Sequence, residues 1–510
     1  MGIGTSSLVT QIRILSAART VVIFGLILQV AGFVKLLVIA DYFGAGPLLD
    51  AYYLGLVIPT FLASVAAGIL QTAFVPAYVG ARTRGTDATA YTLANATLTW
   101  TTLVLATSAG LLTLLRAVAL PMLAQGSSPE TRTALQAAFT SLMWMAPLNG
   151  LADGGAMLLN AEGRFAAAAS APLVNVIAGV MVLTAFRNSG VDALVWSVLA
   201  GLAAQALVVL IAMRGTGFHL RPQFTLPAAP SSLLGSVALP VIISTVLGNL
   251  VPAFIQMVSA RAGTGAISAM GYASRLHNSL VQVVVMSVSV VLLPHFARLT
   301  AQGRNAELRV TLERVFAATL LFSAAAVVLV AAGGPAVIQL MLQRGSFTSA
   351  DAQLVARVWL ALTTGLLGAT WGIFLARLFQ AQRLPWVIAT LACVSVVVNV
   401  ALAFAFLSLW GVAGVALASS VAYTVIMWLF HIRSKRAVGH ILGASARGFI
   451  ARTILANLVA YGAALWWGSI FESSGPLAIV VGQFLIVTVA NFLVARSAPL
   501  HLTMRAIFGN

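Results

Sequence analysis

Charged residues are scarce in this chain of 510 residues. They make up 8% of it, against 60% hydrophobic residues, and only 11 of them are acidic. A soluble domain does not have this balance, because its surface must carry many polar and charged groups. The composition excludes a string of soluble domains and predicts an all-α protein that crosses a membrane many times.

Residues that carry enzyme chemistry are also few. The single cysteine, Cys393, excludes a disulfide framework or a cysteine-based zinc site. The only lysines, Lys35 and Lys435, do not belong to a GxxxxGK[ST] phosphate-binding loop, and the six histidines show no HExxH spacing. We therefore predict no enzyme activity and no cofactor. Transport driven by a gradient of a coupling ion such as Na⁺ or H⁺, or by the membrane potential, is what remains.

The net charge of +17 does not indicate nucleic-acid binding, because the cations are spread thinly through loops and form no basic domain. Most of them fall in alternate connections between apolar runs. The opposite connections contain only Arg116, Arg132, Arg187, Arg261 and Arg344. This asymmetry follows the positive-inside rule and predicts a multi-pass membrane protein with both termini in the cytoplasm.

Apolar runs of bilayer-spanning length predict about fourteen transmembrane helices. The predicted spans are 20–41, 50–78, 91–118, 133–158, 165–186, 192–213, 232–257, 266–297, 310–332, 352–377, 385–407, 411–432, 449–469 and 475–495.

An internal repeat relates spans 1–6 to spans 7–12. Gly44–Gly46 and Gly263–Gly265 begin similar phrases, and the same register of 219 residues pairs Arg164 with Arg383. An even number of spans between copies makes the two halves parallel. We predict two parallel six-helix lobes around a central cavity, plus two C-terminal helices. The predicted domains are 1–219, 220–440 and 441–510, and the substrate site is expected near mid-depth between the lobes.

Two cations lie deep in predicted spans, where a charge is costly and should face a polar interior. Lys35 lies in span 1 and Arg275 in span 8. Asn278 and Gln282 follow Arg275 at helical spacing and His277 is adjacent, so these residues predict a polar stripe suited to a phosphate. Snorkelling toward the membrane surface is the alternative for both cations.

Three further polar residues are candidate substrate-binding residues of the cavity, and two of them, Asp50 and Arg357, have a local structural alternative. Gln29 precedes Lys35 in span 1, and Asp50 begins span 2, where it also suits a helix N-cap. Arg357 enters span 10, and either a substrate contact or an ion pair with Asp351 fits its position.

The phrases that carry the repeat also carry a family resemblance. Phe43–Gly46, Asp50–Tyr53 and Ala73–Pro76 resemble the opening of the MviN/MurJ family, and Tyr272–Leu276 with Leu292–Pro294 resembles its eighth span. The likeness covers nearly the whole chain. It implies a member of the multidrug/oligosaccharidyl-lipid/polysaccharide exporters in the bacterial cytoplasmic membrane, which flips lipid II, or another undecaprenyl-diphosphate-linked glycan, to the outer leaflet. Membrane lipids and proteins of envelope glycan synthesis are the further partners implied.

The resemblance also implies roles for single residues. Arg275 matches the essential arginine of span 8, Lys35 stands where an arginine is usual in span 1, and Asp50 matches a functional aspartate. Spans 13–14 would form a groove for the polyprenyl tail. Two further arginines of the lipid II flippases fall on Gln29 and Ala63 here, so the cavity is less cationic than the family pattern.

That departure leaves other substrates open. A lipid-linked exopolysaccharide or O-antigen unit is the first alternative to lipid II. A cation-coupled exporter of small solutes is disfavoured, because the intramembrane charges are basic. An inactive scaffold in envelope synthesis is the remaining alternative.

Overall fold

The computed structural model describes residues 3–225, 238–441, 444–471 and 475–496, and within these ranges the chain is helical with no β-strand. The helices are α1 Ile3–Phe43, α2 Pro47–Ile69, α3 Val75–Arg84, α4 Asp87–Leu114, α5 Arg116–Leu123, α6 Pro129–Met143, α7 Met145–Ala161, α8 Phe165–Ala185, α9 Val191–Arg214, α10 Ala238–Ser259, α11 Ala266–Ala301, α12 Asn305–Leu342, α13 Ser349–Thr363, α14 Leu366–Ala381, α15 Pro385–Val438, α16 Ala444–Ile470 and α17 Pro476–Arg496. A π-helical segment, Leu70–Phe74, joins α2 to α3.

The predicted all-α membrane fold is confirmed. Ten of the described helical stretches are long and apolar enough to cross a membrane, and the bent pair α13–α14 adds an eleventh. The predicted spans 133–158 and 266–297 correspond to α6–α7 and α11. With α15 counted as two spans, these additions agree with the predicted total of about fourteen.

Helix α15 contains two spans in one continuous assignment. A straight helix of its 54 residues would be about 81 Å long, far more than a bilayer needs. Gly411 breaks it with φ 58° and ψ −140°, a conformation that favours glycine. The turn is tight, since a Cβ on Gly414 would lie 2.0 Å from the carbonyl oxygen of Phe406. The predicted boundary between spans 11 and 12 lies at this turn.

The chain divides into two compact units, residues 1–253 and 254–510. In the first unit, Phe74, Tyr78, Leu98, Leu158 and Phe218 belong to one apolar core. In the second unit, the main core extends over α11, α12, α14, α15 and α16, with the C-terminal helix α17 contributing Val494. The division between the units falls inside α10, and the finer division at 219 and 440 stays a prediction.

Backbone geometry repeats between the two units and corrects the predicted register. Gly190 and Gly411 share an unusual conformation, with φ 61° and ψ −133° at the first and φ 58° and ψ −140° at the second. Gly163 and Arg383 likewise end their helices with φ 74° and φ 57°. Arg383 therefore corresponds to Gly163 and not to Arg164, so the pairing at 219 residues is wrong by one position there.

Candidate functional site

Lys35 lies beside the close packing of α8 on α9. Its helix α1 buries Leu36 and Ile39, and Lys35 is half-buried on the flank of that face. A Cβ built on Gly179 of α8 would lie 2.8 Å from the Lys35 Nζ and 3.1 Å from the carbonyl oxygen of Ser197. The Ser197 hydroxyl donates to the carbonyl oxygen of Gly179 at 2.8 Å. The ammonium thus lies in a notch that exists because residue 179 has no side chain.

The same seam continues along α8 and α9 with other polar side chains. Asn175 donates from Nδ2 to Oε1 of Gln205 at 2.7 Å, and Gln205 is buried. Gly201 lets the helices approach, since a Cβ there would lie 2.4 Å from Oδ1 of Asn175. Small residues with interhelical hydrogen bonds are the usual means of close packing in membranes.

Asp50 lies in the first turn of α2 and is buried, with 2% of its surface exposed. The N-cap position belongs to Gly46, whose carbonyl accepts the Asp50 backbone N–H at 3.0 Å. The local alternative predicted for Asp50, an N-cap, is therefore wrong. A carboxylate in the first turn still interacts favourably with the positive end of the helix dipole.

Gln29 and Ala63, where the family resemblance implies two arginines, differ in their surroundings. Gln29 is exposed on α1, so a long polar side chain has room there. Ala63 is only 1% exposed within α2, where packing leaves no space for a guanidinium. The packing of this chain therefore does not accommodate the arginine that the resemblance implies at position 63.

In the second unit, Arg275, Asn278 and Gln282 are all exposed on α11. Their spacing of three and seven residues places them on one side of the helix. Arg275 lies about 14 Å from the start of the helix, well inside a span. The predicted polar stripe therefore has these three members.

His277 does not share that face. It is buried, with 4% exposure, and its Nδ1 atom has no hydrogen-bond partner among the described residues. Consecutive side chains on a helix point about 100° apart, so a residue two positions from Arg275 faces another direction. Proximity in the sequence was therefore not enough to place His277 on the face of Arg275.

Arg357 is exposed on α13, and the local ion pair considered for it is wrong in the described structure. The Asp351 carboxylate instead accepts the backbone N–H of Thr348 at 2.8 Å, while the Thr348 hydroxyl accepts the Asp351 N–H at 3.2 Å. This capping box begins α13. Asp351 therefore does not neutralise the charge of Arg357, and that charge can contact another partner.

Two apolar grooves flank α12 in the second unit. The larger one, with a volume of about 620 Å³, lies between α12 and α17 and is also lined by Leu280 of α11. We call it the α12–α17 groove. Its polar members include Gln483, whose Nε2 donates to the carbonyl oxygen of Ala464 at 3.1 Å, and Asn491. The smaller one, the α12–α16 groove, has a volume of about 410 Å³.

Sequence reasoning missed an ionic network at one end of the first unit. Arg82 pairs with Glu162 at 3.2 Å from Nε to Oε1 and also contacts Asp87. Tyr78 donates a hydrogen bond to the same Glu162 carboxylate. These residues join α3, α4 and the end of α7, and only the three-dimensional packing brings them together.

Sequence reasoning also missed that the segment 215–225 is held along α4. Asn95 donates from Nδ2 to the carbonyl oxygen of His219 at 3.2 Å and accepts at Oδ1 from the Arg221 N–H at 2.8 Å. Tyr91 and Thr99, one turn to either side, bond the same segment. The spacing of four residues between these polar side chains on α4 is the signal that predicts such a face.

Known proteins resemble this chain over most of its length. The sequence profile of the family described as lipid II flippase MurJ matches residues 39–487. A protein named probable lipid II flippase MurJ from Rhizobium meliloti (strain 1021) is 28% identical over 432 residues, which are 78% of each chain.

Solved structures show the same fold. One described as lipid II flippase MurJ in an inward closed conformation has a TM-score of 0.78 at 19% identity, covering 94% of this chain and 98% of its own. An inward-facing multidrug resistance MATE family transporter of the MOP superfamily has a TM-score of 0.65 at 15% identity, covering 81% and 95%. With the profile match over most of its length, the chain belongs to the lipid II flippase MurJ family of bacterial multi-pass membrane proteins.

Proposed function

We propose that this chain carries lipid II from the inner to the outer leaflet of the cytoplasmic membrane. It is a transporter and not an enzyme, as its family membership indicates. The observation that carries the proposal is on α11. This helix presents Arg275, Asn278 and Gln282 on an exposed face and contributes Leu280 to the apolar α12–α17 groove. A lipid-linked diphosphate needs both a cationic contact and an apolar channel.

The polar stripe on α11 suits the diphosphate. A guanidinium presents a planar fork of donors that can bind two phosphate oxygens at once. Because Arg275 lies inside a span, exposing it to lipid would cost about 2.5–3.5 kcal/mol. We assign Arg275, Asn278 and Gln282 to the diphosphate, with Lys35, Gln29, Asp50 and Arg357 as further cavity residues. His277 contributes through the packing of α11.

The α12–α17 groove suits the polyprenyl tail. It is lined by Phe322, Leu329, Val480 and Phe484 among other apolar side chains. Its volume of about 620 Å³ is within the range of ligand pockets, about 300–1,000 Å³. Helix α17 supplies the C-terminal wall of this groove, so within residues 441–510 the contact with the tail is proposed for α17.

Alternating access would move the head group. Parallel repeats enclosing a site near mid-membrane change access by rocking against each other. Both termini are proposed to lie in the cytoplasm, which is the negative side of the membrane. A diphosphate of about two negative charges that moves outward leaves this side, which releases about 2.3 kcal/mol per charge per 100 mV. The membrane potential thus supports export, alone or with a coupling ion.

A second candidate substrate is a lipid-linked exopolysaccharide or O-antigen unit. It is favoured by Gln29 and Ala63, which stand where the family resemblance implies two arginines. A different or smaller anionic head group needs fewer cations, whereas the apolar groove serves any polyprenyl tail.

Complementation separates these substrates. We expect the chain to restore growth to cells depleted of their own lipid II flippase, and purified protein in proteoliposomes to flip lipid II faster than a lipid-linked O-antigen unit. Folded, membrane-inserted protein that fails in both assays, or that prefers the O-antigen unit, would contradict lipid II as the substrate.

A further inference from the structure

The α12–α16 groove lies on a different face of α12 from the proposed tail groove. On α12 its wall includes Ser323 and Val327, whereas the α12–α17 groove uses Phe322 and Leu329. On α16 it is lined by Ile454, Asn457, Leu458 and Tyr461. The two grooves therefore have separate walls and can hold separate molecules.

The rim of this groove consists of exposed apolar side chains. Ile454 and Leu458 are 52% and 63% exposed. Inside, Ser323 is only 3% exposed, and its hydroxyl has no hydrogen-bond partner among the described residues. A buried hydroxyl without a partner is uncommon, because leaving it unpaired is costly. The groove thus offers an apolar channel with one available polar group.

A cation continues the same face of α16. Arg447 precedes Ile454, Leu458 and Tyr461 by seven, eleven and fourteen residues, so all four lie on one side of the helix. Arg447 is exposed, makes no ion pair with the described residues, and lies about 10 Å from Ile454 along the axis. On the topology proposed above, this is the cytoplasmic end of α16.

The positive charge of Arg447 has no acidic residue near it in the sequence and has further cations close by. Arg433, Lys435 and Arg436, at the end of α15, are exposed as well. No acidic residue occurs between Asp351 and Glu472. Anionic lipids of the cytoplasmic leaflet attract such basic clusters at the ends of spans.

We propose that the α12–α16 groove is a binding site for an anionic glycerophospholipid of the cytoplasmic leaflet. Its phosphate binds Arg447, and an acyl chain lies against Ile454, Leu458 and Tyr461. A polyprenyl diphosphate shares this chemistry. The phospholipid fits better because Arg447 lies at a helix end, at the depth of head groups, whereas Arg275 lies inside its span. The assignment depends on the proposed topology and not on the identity of the transported glycan.

Native mass spectrometry of the full chain, purified and titrated with phosphatidylglycerol or with phosphatidylcholine of the same acyl chains, tests this site. One surface cation near an anionic leaflet changes the affinity about fivefold. We expect Arg447→Gln to weaken phosphatidylglycerol binding by about that factor and to leave phosphatidylcholine unchanged. Leu458→Trp should fill the groove and weaken both lipids. Melting temperatures verify that each variant folds.

Matched controls are available in the same chain. Arg214→Gln removes another exposed cation at the cytoplasmic end of a helix, and Leu455→Trp adds the same bulk to α16 outside the groove. We expect both to bind like the unaltered protein. Equal losses in Arg447→Gln and Arg214→Gln, or no loss in Leu458→Trp, would overturn the proposal. A further result would also overturn it: polyprenyl phosphate competes with phosphatidylglycerol in the unaltered protein but not in Leu458→Trp, and that variant still binds phosphatidylglycerol.

Discussion

The Lys35 ammonium occupies space that a side chain at Gly179 would need, because a Cβ there would lie 2.8 Å from Nζ. Three helices meet at this point, since Ser197 of α9 bonds the Gly179 carbonyl and Lys35 comes from α1. The position of a functionally expected cation thus depends on a glycine in another helix. Neither residue alone reveals this dependence in the sequence.

Gly179→Ala should displace the Lys35 ammonium and reduce flipping as strongly as Lys35→Gln. A displaced cation that must face lipid costs about 2.5–3.5 kcal/mol, which corresponds to more than a tenfold effect. Because Lys435 is the only other lysine, an amine-reactive reagent in a Lys435→Arg background modifies Lys35 and the N-terminal amine, which peptide mass spectrometry distinguishes. We expect the rate of Lys35 labelling in Gly179→Ala to differ from that of the unaltered protein, because the ammonium leaves its notch.

Gly110→Ala is the control for that experiment. Gly110 is also helical and in the first unit, but a Cβ there meets no atom within 4 Å. Labelling and flipping in Gly110→Ala should equal those of the unaltered protein. If Gly179→Ala behaves the same way, the notch does not hold Lys35.

Arg275→Ala should abolish flipping of lipid II in proteoliposomes, whereas Arg275→Lys should retain part of it. Lysine keeps the charge but lacks the planar fork that binds two phosphate oxygens. Arg214→Ala, at an exposed arginine that ends α9, is the control. Full activity in a folded Arg275→Ala protein would remove Arg275 from the site.

Val480→Trp should obstruct the α12–α17 groove and slow flipping of lipid II with a full-length tail. A lipid II analogue with a short tail should be affected much less, because it does not fill the groove. Leu485→Trp, on an exposed face of the same helix outside the groove, provides the comparison. Equal effects of the two tryptophans on both substrates would argue against a tail site here.

Glu162→Gln and Asp87→Asn remove the two carboxylates that contact Arg82. The Glu162 side chain is 12% exposed and the Asp87 side chain 71%. Neutralising a mostly buried carboxylate weakens the charge-assisted hydrogen bonds that it accepts, which contribute about 1.5–3 kcal/mol, while an exposed ion pair contributes about 0–1 kcal/mol. Thermal unfolding in detergent should therefore show a clear loss of stability only for Glu162→Gln. A larger loss for Asp87→Asn would contradict this ranking.

An imposed membrane potential should change the rate of flipping. When the compartment that holds lipid II is negative, outward movement of about two charges gains about 2.3 kcal/mol per charge per 100 mV. We expect flipping to accelerate at that polarity and to slow at the opposite one. Rates indifferent to a potential of either sign would show that transport is driven in another way.

The fold was accessible from the sequence because long apolar runs fix both the length and the type of each element. The helix pair within Pro385–Val438 and the repeat around Gly190 and Gly411 follow from such patterns. The register failed at Arg383, where a non-glycine residue adopts φ 57° and hides the match to Gly163. Apolar sequences offer few landmarks that would correct a shift of one residue.

The site was accessible only in part. Periodicity correctly grouped Arg275, Asn278 and Gln282, because one helix contains all three. It could not show that His277 packs inward, that Gly46 and not Asp50 is the N-cap, or that Ala63 leaves no room for a cation. These depend on contacts between helices distant in the sequence, for which local spacing provides no signal.

Helix α12 separates two grooves, and this gives the membrane itself a means of influencing transport. A molecule in one groove and a molecule in the other contact the same helix, so a shift of α12 on filling one groove would change the free energy of filling the other. Such coupling is reciprocal by thermodynamic necessity. Changes in the phospholipid composition of a cell would then alter how tightly this protein holds its cargo, and abundant cargo would in turn alter which lipids surround the protein.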